Sequence, residues 1–187
     1  MSLRSISVGP TTSFSARLIY LLFISQAYDL LLSFAVPELL KTKGQVVVTA
    51  SSAAQVRCPN ASEYCTSKHA ILRLAEFIKL GKFYISVFYS YQAPIPRRFV
   101  EYPDIKVFAV DPGAVQTDLL DAFSGAIPAN STAGLAASTI QYVTSGRADY
   151  LNGRFVSSTW DLDEVERDWK EKIITQNSLV SKLSLPA

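Results

Sequence analysis

Apolar positions along the chain follow two rhythms. Across residues 25–40, Leu30, Leu31, Phe34, Ala35 and Leu39 recur at three- and four-residue steps, the spacing of a helix with one buried face. Lys41 and Lys43 followed by Gly44 end it, because a basic last turn and a glycine are stop signals. Residues 45–50 then run Gln-Val-Val-Val-Thr-Ala, the continuous apolar pattern of a fully buried parallel strand. Helical spacing returns over 62–80, after a loop at 59–62, with Ala70, Leu72, Leu74, Ala75 and Ile78 predicted on the core face. Residues 105–110 predict a second buried strand, 133–143 a further helix, and 154–157 a third strand behind the turn Asn152-Gly153.

Strands alternating with helices predict an α/β domain: a doubly wound parallel sheet with right-handed crossovers and helices on both faces, in three layers. Ligands of such sheets gather beyond the carboxyl ends of the strands. Ser51 and the pair Pro112-Gly113 both fall at such ends. The whole of 1–187 is expected to form one domain. Residues 1–24 form an atypical N-terminal segment, the first 16 rich in Ser and Thr and without period. Residues 81–99, with several aromatics, two prolines and Arg97-Arg98, read as an insertion, and the β-prone run from Phe83 suits an added hairpin. Residues 160–172 predict an amphipathic surface helix. Trp160 and Trp169, nine residues apart, are expected to be separate packing anchors.

Composition narrows the function classes. The chain is 49% hydrophobic and 18% charged, which excludes global disorder. A formal charge of +2 with Arg97-Arg98 as the only adjacent basic pair offers no stripe for tracking phosphates, so nucleic acid is set aside as a partner. Two cysteines, Cys58 and Cys65, and one histidine, His69, make neither a disulfide framework nor a zinc-type ligand cluster. No metal site is expected, and a reducing, cytoplasmic setting follows. His69 adjoins Lys68 in sequence and is expected at the surface or satisfied by a neighbour. Residues 18–36 are largely apolar and follow Arg17, but Gln26 and Asp29 interrupt them. An aspartate at the centre of a membrane helix costs about 2.5–3.5 kcal/mol, so a core helix is preferred to an anchor.

The candidate chemistry lies in Tyr64-Cys-Thr-Ser-Lys68, with Ser51 thirteen residues upstream. Residues at i and i+4 project from one helical face, and a fixed cation beside a phenol favours the ionised form. Such a tyrosine exchanges protons as a general acid or base, and Ser51 supplies a hydrogen bond to a substrate oxygen.

These residues resemble the short-chain dehydrogenase/reductase family, a Rossmann-fold set of NAD(P)-dependent oxidoreductases. The likeness runs from about Asp29 to Asp163, with 81–99 excepted. Val47-Val-Thr-Ala-Ser51-Ser looks like the family's strand ending in its catalytic serine, Tyr64-Cys-Thr-Ser-Lys68 fits Tyr-x-x-x-Lys, and Pro112-Gly-Ala-Val-Gln-Thr117 fits Pro-Gly-x-Val-x-Thr. Leu151-Asn-Gly-Arg154 resembles the closing strand. The resemblance implies hydride transfer between NAD or NADP and a small carbonyl or alcohol substrate. Tyr64 would be the proton donor or acceptor, Lys68 would hold the ribose hydroxyls, and Ser51, with Ser52 its close competitor, would orient the substrate oxygen. Pro112, Gly113, Val115 and Thr117 would meet the nicotinamide, Val115 through its backbone and Thr117 through its hydroxyl. The mostly apolar run 118–130 would cover a hydrophobic substrate, and a homodimer would form through the helix bearing Tyr64.

The chain also departs from the family. None of its eight glycines lies within six residues of another, so the glycine-rich turn that receives a dinucleotide pyrophosphate at a helix N-terminus has no counterpart. The asparagine of the family's proton relay would fall near Ile24. A truncated or mis-spliced dehydrogenase is the expectation this raises, with a non-catalytic remnant that binds no dinucleotide as the alternative reading.

Overall fold

A computed structural model describes residues 35–59, 61–80, 82–83, 100–101, 105–121 and 127–183. The expectations for residues 1–34, including the apolar run 18–34, the place near Ile24 and the first turns of the 25–40 helix, lie outside the described residues, as do those for 84–99.

The first described element is helix α1 (35–42). Its exit differs from expectation in one detail. Lys43 takes the left-handed conformation (φ 52°), while Gly44 returns its N–H to the Leu39 carbonyl at 2.7 Å. A Cβ at Gly44 would meet the Leu39 side chain and lie 3.3 Å from its Cα, so glycine is required there for close approach rather than for an unusual φ.

Strand β1 (Gln45–Thr49) follows, then a 3₁₀ turn at Ser52–Gln55 and helix α2 (Ser62–Lys79). Two-residue strands β2 (Lys82–Phe83) and β3 (Val100–Glu101) pair antiparallel, Lys82 with Glu101 and Phe83 with Val100. Strand β4 (Lys106–Asp111), the short helix α3 (Asp118–Asp121), helix α4 (Ala133–Thr144) and strand β5 (Arg154–Ser157) complete the α/β alternation. The main sheet is parallel in the order β1-β4-β5. It forms part of a Rossmann-like fold.

The side-chain period of two distributes β4 between two cores. Val107 and Ala109 join Val48, Ala50, Ile71, Leu72, Ala75 and Ile78 beneath α2. Phe108 and Val110 face the other way, onto Val143, Leu151, Val156, Val165 and Ile173. Helices therefore cover both faces of the sheet, in three layers. The predicted face of α2 needs a correction: Ala70 is exposed and Leu74 half-buried, while Ile71 is buried in Ala70's stead. Strand β1 is less enclosed than its sequence suggests, because it lies at an edge of the described sheet, and Val46 and Val47 are only half-buried.

The C-terminal helix is broken. Asp161 caps α5 (Leu162–Glu164) by accepting the Asp163 and Glu164 N–H groups at 3.0 and 3.2 Å. A π-helical turn, Val165–Trp169, intervenes before α6 (Lys170–Thr175). This overturns the expectation of separate tryptophan anchors. Trp160 lies ahead of the cap and the wider π turn redirects Trp169, so the two rings meet edge to face with centroids 5.7 Å apart. Phe155 joins them at 5.8 Å from Trp160. Buried Arg154 then holds the tail, donating to the carbonyls of Tyr150 and Ser178 and to Asn177 Oδ1.

Among the described residues, no helix is long and apolar enough to cross a membrane. Leu72, 1% exposed between α2 and the sheet, tests the packing. Leu72→Ala is expected to lower the unfolding free energy by about 2–5 kcal/mol, measured by urea titration. A loss under about 1 kcal/mol would contradict this arrangement.

Candidate active site

The site is built by register. Thr49 lies opposite Val110, and the Ala50 N–H donates to the Val110 carbonyl at 2.8 Å. The chain segments leaving β1 and β4 therefore start from the same edge of the sheet. Ser51 leaves β1, and Asp111-Pro112-Gly113 leaves β4. The first turns of α2 pass above this edge, and a cavity of about 340 Å³ opens between them. Ser51, Tyr64, Lys68, Pro112, Gly113, Val115 and Thr117 all line it, so every site residue expected from the sequence borders one space. Ser52 borders it too.

Lys68 reaches from α2 to the sheet, donating from Nζ to the Thr49 carbonyl at 2.9 Å. The same ammonium stands 5.7 Å from the centroid of the Tyr64 ring, within cation–π range. Burial pushes the Lys68 ammonium below the ordinary lysine value, and the charge of Asp111 pulls it back up. Ser51 caps the 3₁₀ turn, its Oγ accepting the Ala53 N–H at 3.2 Å. A hydroxyl that accepts one bond still has its own hydrogen to donate.

The loop after β4 is fixed by Gly113. Its φ is +77°, and a Cβ there would meet the Ser131 side chain, with Ser131 Cβ at 2.9 Å and Thr159 Cγ2 at 3.2 Å. The Ala114 carbonyl receives the Asn130 and Ser131 N–H groups, each at 3.1 Å, which ties the loop to the approach of α4. Val115 donates its N–H to the Gly113 carbonyl at 3.1 Å, so that group is engaged within the loop. Thr117 accepts the Leu120 N–H at 3.3 Å and starts α3.

Some lining residues had no place in the sequence-based site. Asp111 is one, with its signal in plain view as the polar residue ending an apolar strand. Leu119, Leu120 and Ile127 add apolar wall, in keeping with the apolar run 118–130. Cys58 and Cys65 are half-buried free thiols on the same cavity. Partial burial and the neighbouring Cys65 thiol push Cys58 above the ordinary thiol value, a proximity that spacing alone does not reveal. His69 lies outside the cavity with Nδ1 2.9 Å from the Ala54 carbonyl, as expected of a satisfied surface histidine.

With this geometry in hand, known proteins supply the family. A short chain dehydrogenase of Monascus purpureus is 32% identical over 156 residues, 80% of this chain and 46% of its own length. The chain belongs to the short-chain dehydrogenase/reductase family. It spans about half the length of the curated relatives it matches. No family model matches it. Among solved structures, acetoin dehydrogenase YohF from Salmonella typhimurium superposes with a TM-score of 0.55 at 19% identity, covering 84% of this chain and 59% of the other. A 7α-hydroxysteroid dehydrogenase complexed with NADH and 7-oxo glycochenodeoxycholic acid gives a TM-score of 0.50 at 20% identity, covering 68% and 48%. These two share its fold.

Gly113 offers a direct check of the loop. Gly113→Ala would force a left-handed backbone on alanine and press its methyl on Ser131. We expect a loss of about 1–3 kcal/mol in unfolding free energy, read by thermal melting. Gly146→Ala, at φ +92° with open space around it, would carry the backbone cost alone and lose less.

Proposed function

We propose that the chain carries the proton-transfer half of an NAD(P)-dependent oxidoreductase acting on a small carbonyl or alcohol. The observation that supports this reading is the single cavity bordered by Ser51, Tyr64, Lys68 and the 112–117 loop. Its contents suit the nicotinamide riboside end of a dinucleotide: a cation and hydroxyls for ribose oxygens, and a close-packed glycine loop for a flat ring. At about 340 Å³ the space lies near the low end of small-molecule sites, which span about 300–1,000 Å³. When bound, the nicotinamide supplies or accepts the hydride.

The chain's own residues do the rest. Tyr64 gives a proton to the substrate oxygen during reduction and takes it back during oxidation. Lys68, anchored on the Thr49 carbonyl, sets a positive charge beside that phenol and offers its remaining N–H groups to the ribose. Ser51 donates its free hydroxyl hydrogen to the substrate oxygen and fixes its position relative to Tyr64. Pro112, Gly113, Val115 and Thr117 form the wall against which the nicotinamide would lie, and Leu119, Leu120 and Ile127 add an apolar border to the space.

Either NAD or NADP would present the same nicotinamide riboside to these residues. A cytoplasmic setting fits the two unpaired thiols, and pairing through α2 fits its exposed Phe77 and the exposed Leu80 just past its end, at 45% and 66%. The alternative reading, a fold that keeps the cavity but binds no dinucleotide, is favoured by one fact: these 187 residues contain no glycine-rich turn.

Thermal melting of the full chain with NADH or NADPH separates the two. Ligand at a hundred times its dissociation constant stabilises by about 2.7 kcal/mol, whereas no shift at saturating concentration would support the remnant. If turnover of a panel of small aldehydes and ketones is found, Tyr64→Phe should lower kcat by about 10²–10⁴-fold while retaining the ligand-induced shift. A Tyr64→Phe variant with unchanged kcat would remove the phenol from the mechanism.

A further inference from the structure

We propose that Asp111 is a positioning residue of this site, its buried carboxylate serving as the counter-charge that keeps the Lys68 ammonium seated and protonated at the sheet edge. The role in turnover rests on the dehydrogenase reading above, but the electrostatic claim does not.

Side chains on β4 alternate, and Val107 and Ala109 face the core beneath α2, so Asp111, two residues further on, projects from the same face toward the helix that bears Lys68. Both residues border the same cavity. Asp111 is only 5% exposed. Its Oδ1 accepts the Gly113 N–H at 3.2 Å, which fixes the carboxylate at the mouth of the loop. A buried carboxylate is costly unless compensated, and a buried ammonium is driven toward its neutral form. The charge of Asp111 counters that drive on Lys68.

Three elements bring groups to bear on Lys68. From α2 itself comes the Tyr64 ring. From β1 comes the Thr49 carbonyl, which accepts the ammonium hydrogen bond. From β4 comes Asp111, whose charge opposes the effect of burial on Lys68. The thiols of Cys58 and Cys65 border the same space. Because the ammonium bonds to Thr49 and not to the carboxylate, Asp111 acts through the field in the cavity.

A purely structural role is the competing account, since the bond to Gly113 already makes Asp111 a turn residue. Asp111→Asn separates the two: its amide oxygen still accepts from Gly113, but the charge is gone. Lysine acetylation by acetic anhydride across a range of pH, read peptide by peptide by mass spectrometry, gives the midpoint at which Lys68 becomes nucleophilic. In Asp111→Asn that midpoint should fall by roughly one unit. Lys106, paired with Asp149 at 2.7 Å, should not move. Asp111→Ser, which also keeps a short oxygen acceptor, carries the same expectation should the asparagine variant fail to fold.

An unmoved Lys68 midpoint in a folded variant would overturn the proposal. The labelling needs neither dinucleotide nor substrate. A wild-type chain that shows no melting shift with NADH or NADPH thus retracts the dehydrogenase reading and leaves the Asp111 result standing, and the reverse combination is equally readable.

Discussion

One hydrogen bond sets the frame of the site. Lys68 Nζ meets the carbonyl of Thr49, the last residue of β1, and so pins the second turn of α2 to the end of the sheet. Ammonium-to-carbonyl bonds are shorter and stronger than neutral ones because the donor is charged. With Lys68 fixed, Tyr64 one turn earlier on the same helical face must overhang the same edge. The parallel register of β1 and β4 then brings Asp111, Pro112 and Gly113 to the far side of the space. Neither the helix nor the loop builds the cavity alone.

The same residues serve fold and chemistry, and this limits what each can become. Gly113 is held by its backbone angle and by Ser131, Ser51 by its cap on the 3₁₀ turn, and Thr117 by its cap on α3. A polar group already engaged in local structure loses little further freedom when a ligand arrives. Preorganisation of this kind lowers the entropic cost of positioning. It also explains why a chain spanning about half the length of its relatives can retain a well-defined cavity: the contacts that define it run between β1, α2, β4 and the 112–117 loop, and the twin cores beneath α2 and α4 are complete enough to bury β4 on both faces.

Much of this was legible in the sequence, for identifiable reasons. The three parallel strands stood out because β-branched runs ended abruptly at serine, proline or glycine, and the endpoints erred by a single residue at β1 and β4. Tyr64, Lys68 and Ser51 stood out because helix period and strand end are local properties. The face of α2 was misjudged at Ala70 because small residues carry little directional signal and Ile71 lies only 100° away. Asp111 escaped notice because its significance depends on which face of β4 meets α2, a tertiary fact. The pairing of Trp160 with Trp169 was out of reach: nothing in Val165–Trp169 announces a π turn, and a regular helix from 160 onward would have set the two rings on opposite sides.

That pairing gives the molecule a built-in reporter. Trp160 and Trp169 are the chain's only tryptophans, and both pack where the C-terminal helix docks beside Phe155 on β5. Indole emission and near-ultraviolet dichroism therefore monitor how firmly that helix is seated, and they are blind at first hand to events around Tyr64. A signal change on adding a small molecule would mean that the packing of that helix against β5 has answered to binding at the loop, where Thr159 abuts Gly113.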